Sequence, residues 1–191
     1  MDEIFRKNVA RSSQTGFTLV ELLVVVTIIG LLVGLVSVAV PKAIESGMKA
    51  KAKGELTAIV AAVKAYKQEY GRFPGKLSQA TLFSSNSSPD TIKTLMKVLS
   101  GDSTASLDSQ VANPKGVRFF EGAKTDGTMD DPWGAQYLVL VDSSETGSLS
   151  YTNAGSVVNL SLSVLGVCYG KDGKADTATG SKNDIFSADL K

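Results

Sequence analysis

The chain has 191 residues, 43% of them hydrophobic, with 20 Lys plus Arg against 19 Asp plus Glu. That supplies a core, which excludes wholesale disorder, and leaves no basic excess to hold a phosphate backbone, so no nucleic-acid partner is expected. With no histidine and the single cysteine Cys168, Ser-His-Asp and Cys-His catalysis, two-histidine zinc sites and an internal disulfide are all excluded, and the chain reads as a non-enzyme.

Residues 1–16 are polar, with Arg6, Lys7 and Arg11 against Asp2 and Glu3. From Phe17 to Val40, 24 residues hold one charged side chain, Glu21. As a helix they would extend about 36 Å, enough to cross a hydrocarbon core of about 30 Å. The positive flank predicts a cytoplasmic N-terminus and an exported remainder. A plain membrane anchor is the simplest reading of this run. A cleavable secretory signal ending at Ser37-Val38-Ala39 is a second, but the run exceeds the usual length of about 7–15 residues and Pro41 follows closely. Neither accounts for Glu21. A carboxylate costs about 2.5–3.5 kcal/mol at a membrane centre and less near an end, so its plainest role is a tolerated residue at the cytoplasmic face. Gly30 and Gly34 form a G-x-x-x-G pair that lets helices approach closely, although chance also produces it in such segments.

Beyond Pro41, Ile44, Met48, Ala52, Leu56, Ile59, Val63, Tyr66 and Tyr70 recur at spacings of three and four. This predicts an amphipathic helical stripe, ended by Gly71 and Pro74. Segment 42–70 carries six Lys and three Glu, whereas 71–191 carries 11 basic and 13 acidic residues. Complementary subunit faces are one reading of that asymmetry and an ordinary solvated helix is the other. Ser78–Gln110 reads as a Ser-rich surface excursion around a short helix, capped by Ser88 and Pro89, with Ile92, Leu95, Met96 and Leu99 on one face. Strands are predicted at Val117–Phe120, Tyr137–Val141 and Val157–Tyr169. Asp131-Pro132-Trp133-Gly134 reads as a turn that anchors an aromatic ring in the core. The expected fold is α+β, with a long N-terminal helix packed on a small antiparallel sheet and a C-terminal loop.

Within 170–187, Asp172, Asp176 and Asp184 can converge as oxygen ligands for calcium, with backbone carbonyls filling the shell. The spacing is not that of an EF-hand, and a solvated polar loop is the alternative. No phosphate-binding Gly-x-x-x-x-Gly-Lys-Ser/Thr loop is present.

The segment Gly16-Phe17-Thr18-Leu19-Val20-Glu21-Leu22-Leu23-Val24-Val25-Val26 resembles the cleavage and methylation segment of type IV prepilins and type II secretion pseudopilins. Gly71-Arg72-Phe73-Pro74, the Asp131–Gly134 turn and the tail around Asp172-Gly173 and Asp184-Ile185 extend the likeness, most closely to the major pseudopilin. The resemblance implies a leader peptide over 1–16, a transmembrane and polymerisation half-helix over 17–40, an amphipathic half-helix over 41–70 and a periplasmic domain over 71–191. It implies cleavage between Gly16 and Phe17, N-methylation of Phe17, an assembly role for Glu21 and calcium at Asp172, Asp184 and Asp176. The implied partners are further copies in a homopolymer, minor pseudopilins, the prepilin peptidase/methylase, an inner-membrane assembly platform with its ATPase, and lipid before assembly. Pro41 falls about three residues, nearly one turn, beyond the family's usual helix-kinking proline, so any kink is expected to be displaced.

Cleavage would leave an α-ammonium on Phe17, with Glu21 about 6 Å along the same helix. In a staggered stack the carboxylate can pair with a neighbour's ammonium, and an ion pair in low dielectric favours one register. The implied function is a structural subunit of a periplasmic pseudopilus that moves folded proteins outward. A surface type IV pilin for adhesion, twitching or DNA uptake, and a membrane-anchored calcium-binding module that never polymerises, are the alternatives.

Overall fold

The computed structural model describes residues 16–75, 81–83, 92–107, 109–153, 156–175 and 183–188. Residues 1–44 and 45–191 are separate compact units. One helix, α1 (Leu19–Tyr70), contributes to both. Its first part is long and apolar enough to cross a membrane, and none of that apolar window is buried within the chain. The two hydroxyls there bond to their own helix: Thr27 Oγ1 donates to the Val24 carbonyl (2.8 Å) and Ser37 Oγ to that of Gly34 (2.9 Å). Polar side chains satisfied in this way can sit in hydrocarbon without stranded donors. Pro41 removes one amide donor but does not end α1.

In the second unit the expected stripe of α1 is present but starts later than its spacing suggests. Ile44, in the first unit, is 53% exposed, whereas Ala52, Leu56, Ile59, Ala62, Val63 and Tyr66 are buried. The helix ends where Gly71 turns left-handed (φ 71°) and donates its amide to the Lys67 carbonyl at 2.8 Å. A residue with a Cβ adopts that conformation only at a cost, so the helix stops at a glycine.

The central sheet is antiparallel throughout, in the order β1 (Thr81–Phe83), β4 (Leu138–Val141), β7 (Val164–Cys168), β8 (Ile185–Phe186). Every residue of β4 and β7 is buried. Val139, Val141, Val164 and Cys168 join the core with α1, while Leu138, Leu140, Leu165 and Val167 pack with Leu149 and Tyr151. Those last two residues belong to a hairpin of β5 (Leu149–Asn153) and β6 (Ser156–Leu160), so the sheet is covered on both faces. Gly166 of β7 lets the strand approach α1 closely, since a Cβ there would lie 2.9 Å from Leu56 Cδ2.

Three expectations are corrected. The predicted strand Val157–Tyr169 is two strands, because the chain leaves the hairpin at Leu160 and enters the sheet at Val164. Val117–Phe120 is not a strand. The Phe119 and Phe120 amides instead donate to the Leu99 carbonyl (2.8 and 3.0 Å), closing the C-terminal end of helix α2 (Ile92–Leu99). Nor is 78–110 only a surface excursion: Ile92, Leu95, Met96, Val98 and Leu99 enter the main core and β1 forms a sheet edge. A short pair, β2 (Ser106–Leu107) with β3 (Gln110–Val111), follows α2. Ser88 and Pro89, read as the cap of that helix, lie outside the described residues.

Buried polar side chains hold the loops, Asn113 and Asp142 among them. Asn113, fully buried, donates through Nδ2 to the carbonyls of Val98 (2.7 Å) and Val117 (2.8 Å). Its Oδ1 accepts from the Val117 amide (3.0 Å) and the Tyr70 hydroxyl (2.5 Å), while Tyr66 donates to the Ala112 carbonyl (2.6 Å). Asp142 accepts from the amides of Gly147 (2.7 Å) and Thr146 (3.1 Å). Burial pushes its carboxyl upward, but these hydrogen bonds outweigh burial and hold it below the usual carboxylate range.

Asn113→Ala removes four hydrogen bonds to buried or half-buried groups of Val98, Val117 and Tyr70, and with roughly 1–3 kcal/mol for a buried group left without its partner a loss of about 3 kcal/mol is expected. Urea unfolding of the full chain in detergent checks this, as a lowered midpoint with an unchanged slope.

Candidate functional site

Gly16 and Phe17 precede α1 in irregular backbone, and Phe17 is 76% exposed. Thr18 is the N-cap. Its Oγ1 accepts from the Glu21 amide (3.2 Å), and the Glu21 carboxylate reaches back to accept from the Thr18 amide (2.8 Å) and hydroxyl (2.7 Å). This reciprocal capping box satisfies donors that an apolar surrounding would otherwise strand. The carboxylate also lies at the positive end of the helix dipole. Glu21 therefore has a defined place within a single subunit, which neither a merely tolerated charge nor an intersubunit role had required. The signal was in the sequence: Thr18-x-x-Glu21 directly before an apolar run is the pattern of a capping box.

The C-terminal candidate residues are less gathered. Asp172 ends a 3-10 turn, Gly170–Asp172, and its Oδ1 accepts from the Lys174 amide at 3.1 Å. Asp184 is half-buried next to β8, and Asp176 lies outside the described residues. The loop closes tightly at its base. Cys168 pairs with Ile185 across β7 and β8, and a Cβ on Gly170 would come within 2.5 Å of the Asn183 carbonyl oxygen. Among the described residues, no three carboxylate or thiol groups gather as a metal site.

Glu55, which sequence reasoning did not single out, joins α1 to the sheet, and a second polar contact joins the sheet to the Asp131–Gly134 turn. Tyr137 donates its hydroxyl to Glu55 of α1. Burial, and then the Glu55 carboxylate, push the tyrosine upward in pKa. Cys168 donates its thiol to Asp131 Oδ2 (3.0 Å) and accepts from the Gly170 amide (3.4 Å). Burial, followed by the Asp131 hydrogen bond, pushes that thiol up to about 12, so it stays protonated and unreactive at neutral pH. Asp131 Oδ1 also accepts from the amides of Trp133 and Ala135, both at 2.9 Å. The Asp131–Gly134 turn thus packs Trp133 against the core, as its composition suggested.

Residues 11–37, which span Gly16, Phe17, Thr18 and Glu21, match the family model described as the prokaryotic N-terminal methylation motif. The chain carries a type IV pilin-like methylation motif. Over 64 residues it is also 34% identical to the type II secretion system core protein G of Pseudomonas aeruginosa. That similarity covers 34% of this chain and 45% of the relative, so the chain spans less than half the length of the relative it matches. No solved structure gives a significant match.

The motif's threonine and glutamate are therefore also the capping pair. Thr18→Ala is expected to weaken the first turn of α1 by about 1 kcal/mol, or roughly fivefold faster amide exchange over residues 19–22. Glu21→Gln keeps an acceptor for the Thr18 amide and should leave exchange close to that of the native chain. Hydrogen–deuterium exchange of the full chain in micelles measures both.

Proposed function

We propose that this chain is a pseudopilin, a structural subunit of a type II protein secretion machinery. The precursor inserts by its apolar helix in the inner membrane, with residues 71–191 in the periplasm. It is cleaved between Gly16 and Phe17 by a prepilin peptidase and N-methylated on Phe17. It then polymerises with further copies and minor pseudopilins on a platform driven by an assembly ATPase. The observation that carries this reading is the Thr18–Glu21 capping box at the mouth of an unburied apolar helix, inside the methylation motif.

The chemistry follows from that position. Cleavage would place a new α-ammonium one residue before the cap, close to a carboxylate already held at the helix end. Its charge is expensive to bury alone, so a neighbour's ammonium becomes its favourable partner once lipid gives way to packed helices. Glu21→Gln separates the two roles, because it retains the cap and loses the charge.

The N-terminal residue and its mass, measured on protein from its native membrane, test the processing. N-methyl-phenylalanine at Phe17 is expected. A chain that begins at Met1 beside an active peptidase would leave a plain anchor, and one that begins at Val40 would make the apolar run a discarded signal. Filaments that extend from the cell surface would transfer the reading to a type IV pilin.

Calcium belongs to the same proposal, held by Asp172 and Asp184 with Asp176 and backbone carbonyls. The close approach of Gly170 to Asn183 supports it, since it brings the two ends of the loop together. The bound ion would supply only a fixed positive charge that draws the loop's oxygens together. Calcium is expected to raise the melting temperature of the full chain, with reversal by chelator and no rise in Asp184→Asn. An unchanged melting temperature in the native chain would remove calcium from the account.

A further inference from the structure

Charge is distributed unevenly along α1. Residues 17–41 hold no lysine or arginine, and residues 42–53 then hold Lys42, Lys49, Lys51 and Lys53 against Glu45 alone. Residues 54–70 return to balance, with Lys64 and Lys67 against Glu55 and Glu69. The lysine-rich stretch thus begins directly after the apolar run and Pro41. Processing at Gly16 would leave no basic residue ahead of that run.

Within the second unit, a different element adds a cation at the same end of the helix. Lys49 pairs with Glu45 at 2.9 Å, and Lys49 and then Lys171 hold the Glu45 carboxyl below its usual range. Two lysines therefore act on one carboxylate, which leaves positive charge in excess. Lys171 belongs to the 3-10 turn Gly170–Asp172, and Lys42, Lys49, Lys171 and Lys174 are all exposed. Neighbouring carboxylates are engaged or partly covered. Glu55 accepts from Tyr137, Asp172 accepts from the Lys174 amide, and Asp184 is half-buried.

We propose that the lysines at the start of the second unit, Lys49 and Lys171, together with Lys42 just before it, bind the phosphate headgroups of anionic lipid in the outer leaflet of the inner membrane. The inference rests on the proposed function, which puts this unit on the exported side, and it names the lipid chemistry met there. Two facts select a lipid surface. The first is the tether. Nine residues separate Val40 from Lys49, about 14 Å of helix, and a headgroup layer of about 5–7 Å with a Debye length of about 8 Å beyond it covers that reach. The second is the kind of charge. A lysine ammonium is a compact point charge on a flexible stem, suited to phosphates that shift position, and each one near an anionic surface adds attraction. The contact would hold the exported unit at the membrane until assembly draws the helix out.

Lipid retention tests the contact. The full chain is placed in vesicles of equal phosphatidylcholine and phosphatidylglycerol, extracted in mild detergent, and its retained lipid is counted by mass spectrometry. The native chain should retain the anionic lipid over the neutral one about threefold. Lys42→Gln, Lys49→Gln and Lys171→Gln combined should bring that ratio close to equality, as should about 0.5 M salt on the native chain. These side chains are exposed, so the triple variant should keep the native melting temperature. A second triple variant, Lys64→Gln, Lys93→Gln and Lys124→Gln, loses the same charge elsewhere and should keep the native ratio. Equal retention by the native chain, or an equal loss in the second variant, would overturn the lipid contact and leave the proposed function standing. A native chain with residues 71–191 on the cytoplasmic side, read by protease access in spheroplasts, would overturn both.

Discussion

A Cβ on Gly166 would lie 2.9 Å from Leu56 Cδ2, so β7 and α1 approach about as closely as side chains permit. That approach sets the arrangement of the second unit. With the helix drawn down at Leu56, the flanking Ala52, Ile59 and Val63 close over Val139, Val141 and Val164. The alternate residues of the same strands then face away from the helix and need a second cover, which Leu149 and Tyr151 of the hairpin provide. A sheet of four short strands becomes stable because neither central strand shows a face to water.

Loops that run over such a core need anchors for their backbone groups. Each is organised by one buried polar side chain: Asn113 beside α2, Asp131 beside β4 and Asp142 after it. Each accepts from nearby amides that would otherwise be stranded. Asp131 also takes the thiol proton of Cys168, which turns the one cysteine into part of the packing. The chemistry of this unit is therefore the chemistry of holding a shape.

At the other end of α1 the same economy has a functional edge. Glu21 is satisfied within one subunit by Thr18, so the carboxylate is prepared before any neighbour arrives. A preformed acceptor at a helix start loses little freedom when it takes a new donor, which would favour the proposed assembly over one that must first order the side chain. The cap and the proposed intersubunit pair thus share atoms, and the charge distinguishes them.

Much of this was determined by sequence. The uninterrupted apolar run, the stop at Gly71, the turn at Asp131–Gly134 and the α+β class follow from local pattern, because helix periodicity and glycine or proline geometry act over a few residues. The motif around Gly16, Phe17 and Glu21 was equally legible, although the capping pattern it contains was read only for its charge. Tertiary structure alone decided the rest. That β6 and β7 are separate strands depends on which layer each packs against, and that 117–120 closes α2 depends on the Leu99 carbonyl, distant in sequence. Asn113 and Gly166 owe much of their importance to partners distant in sequence, from Val98, 15 residues from Asn113, to Leu56, 110 residues from Gly166. Side-chain pattern reports what a segment can bury; only the assembled core decides what it is buried against.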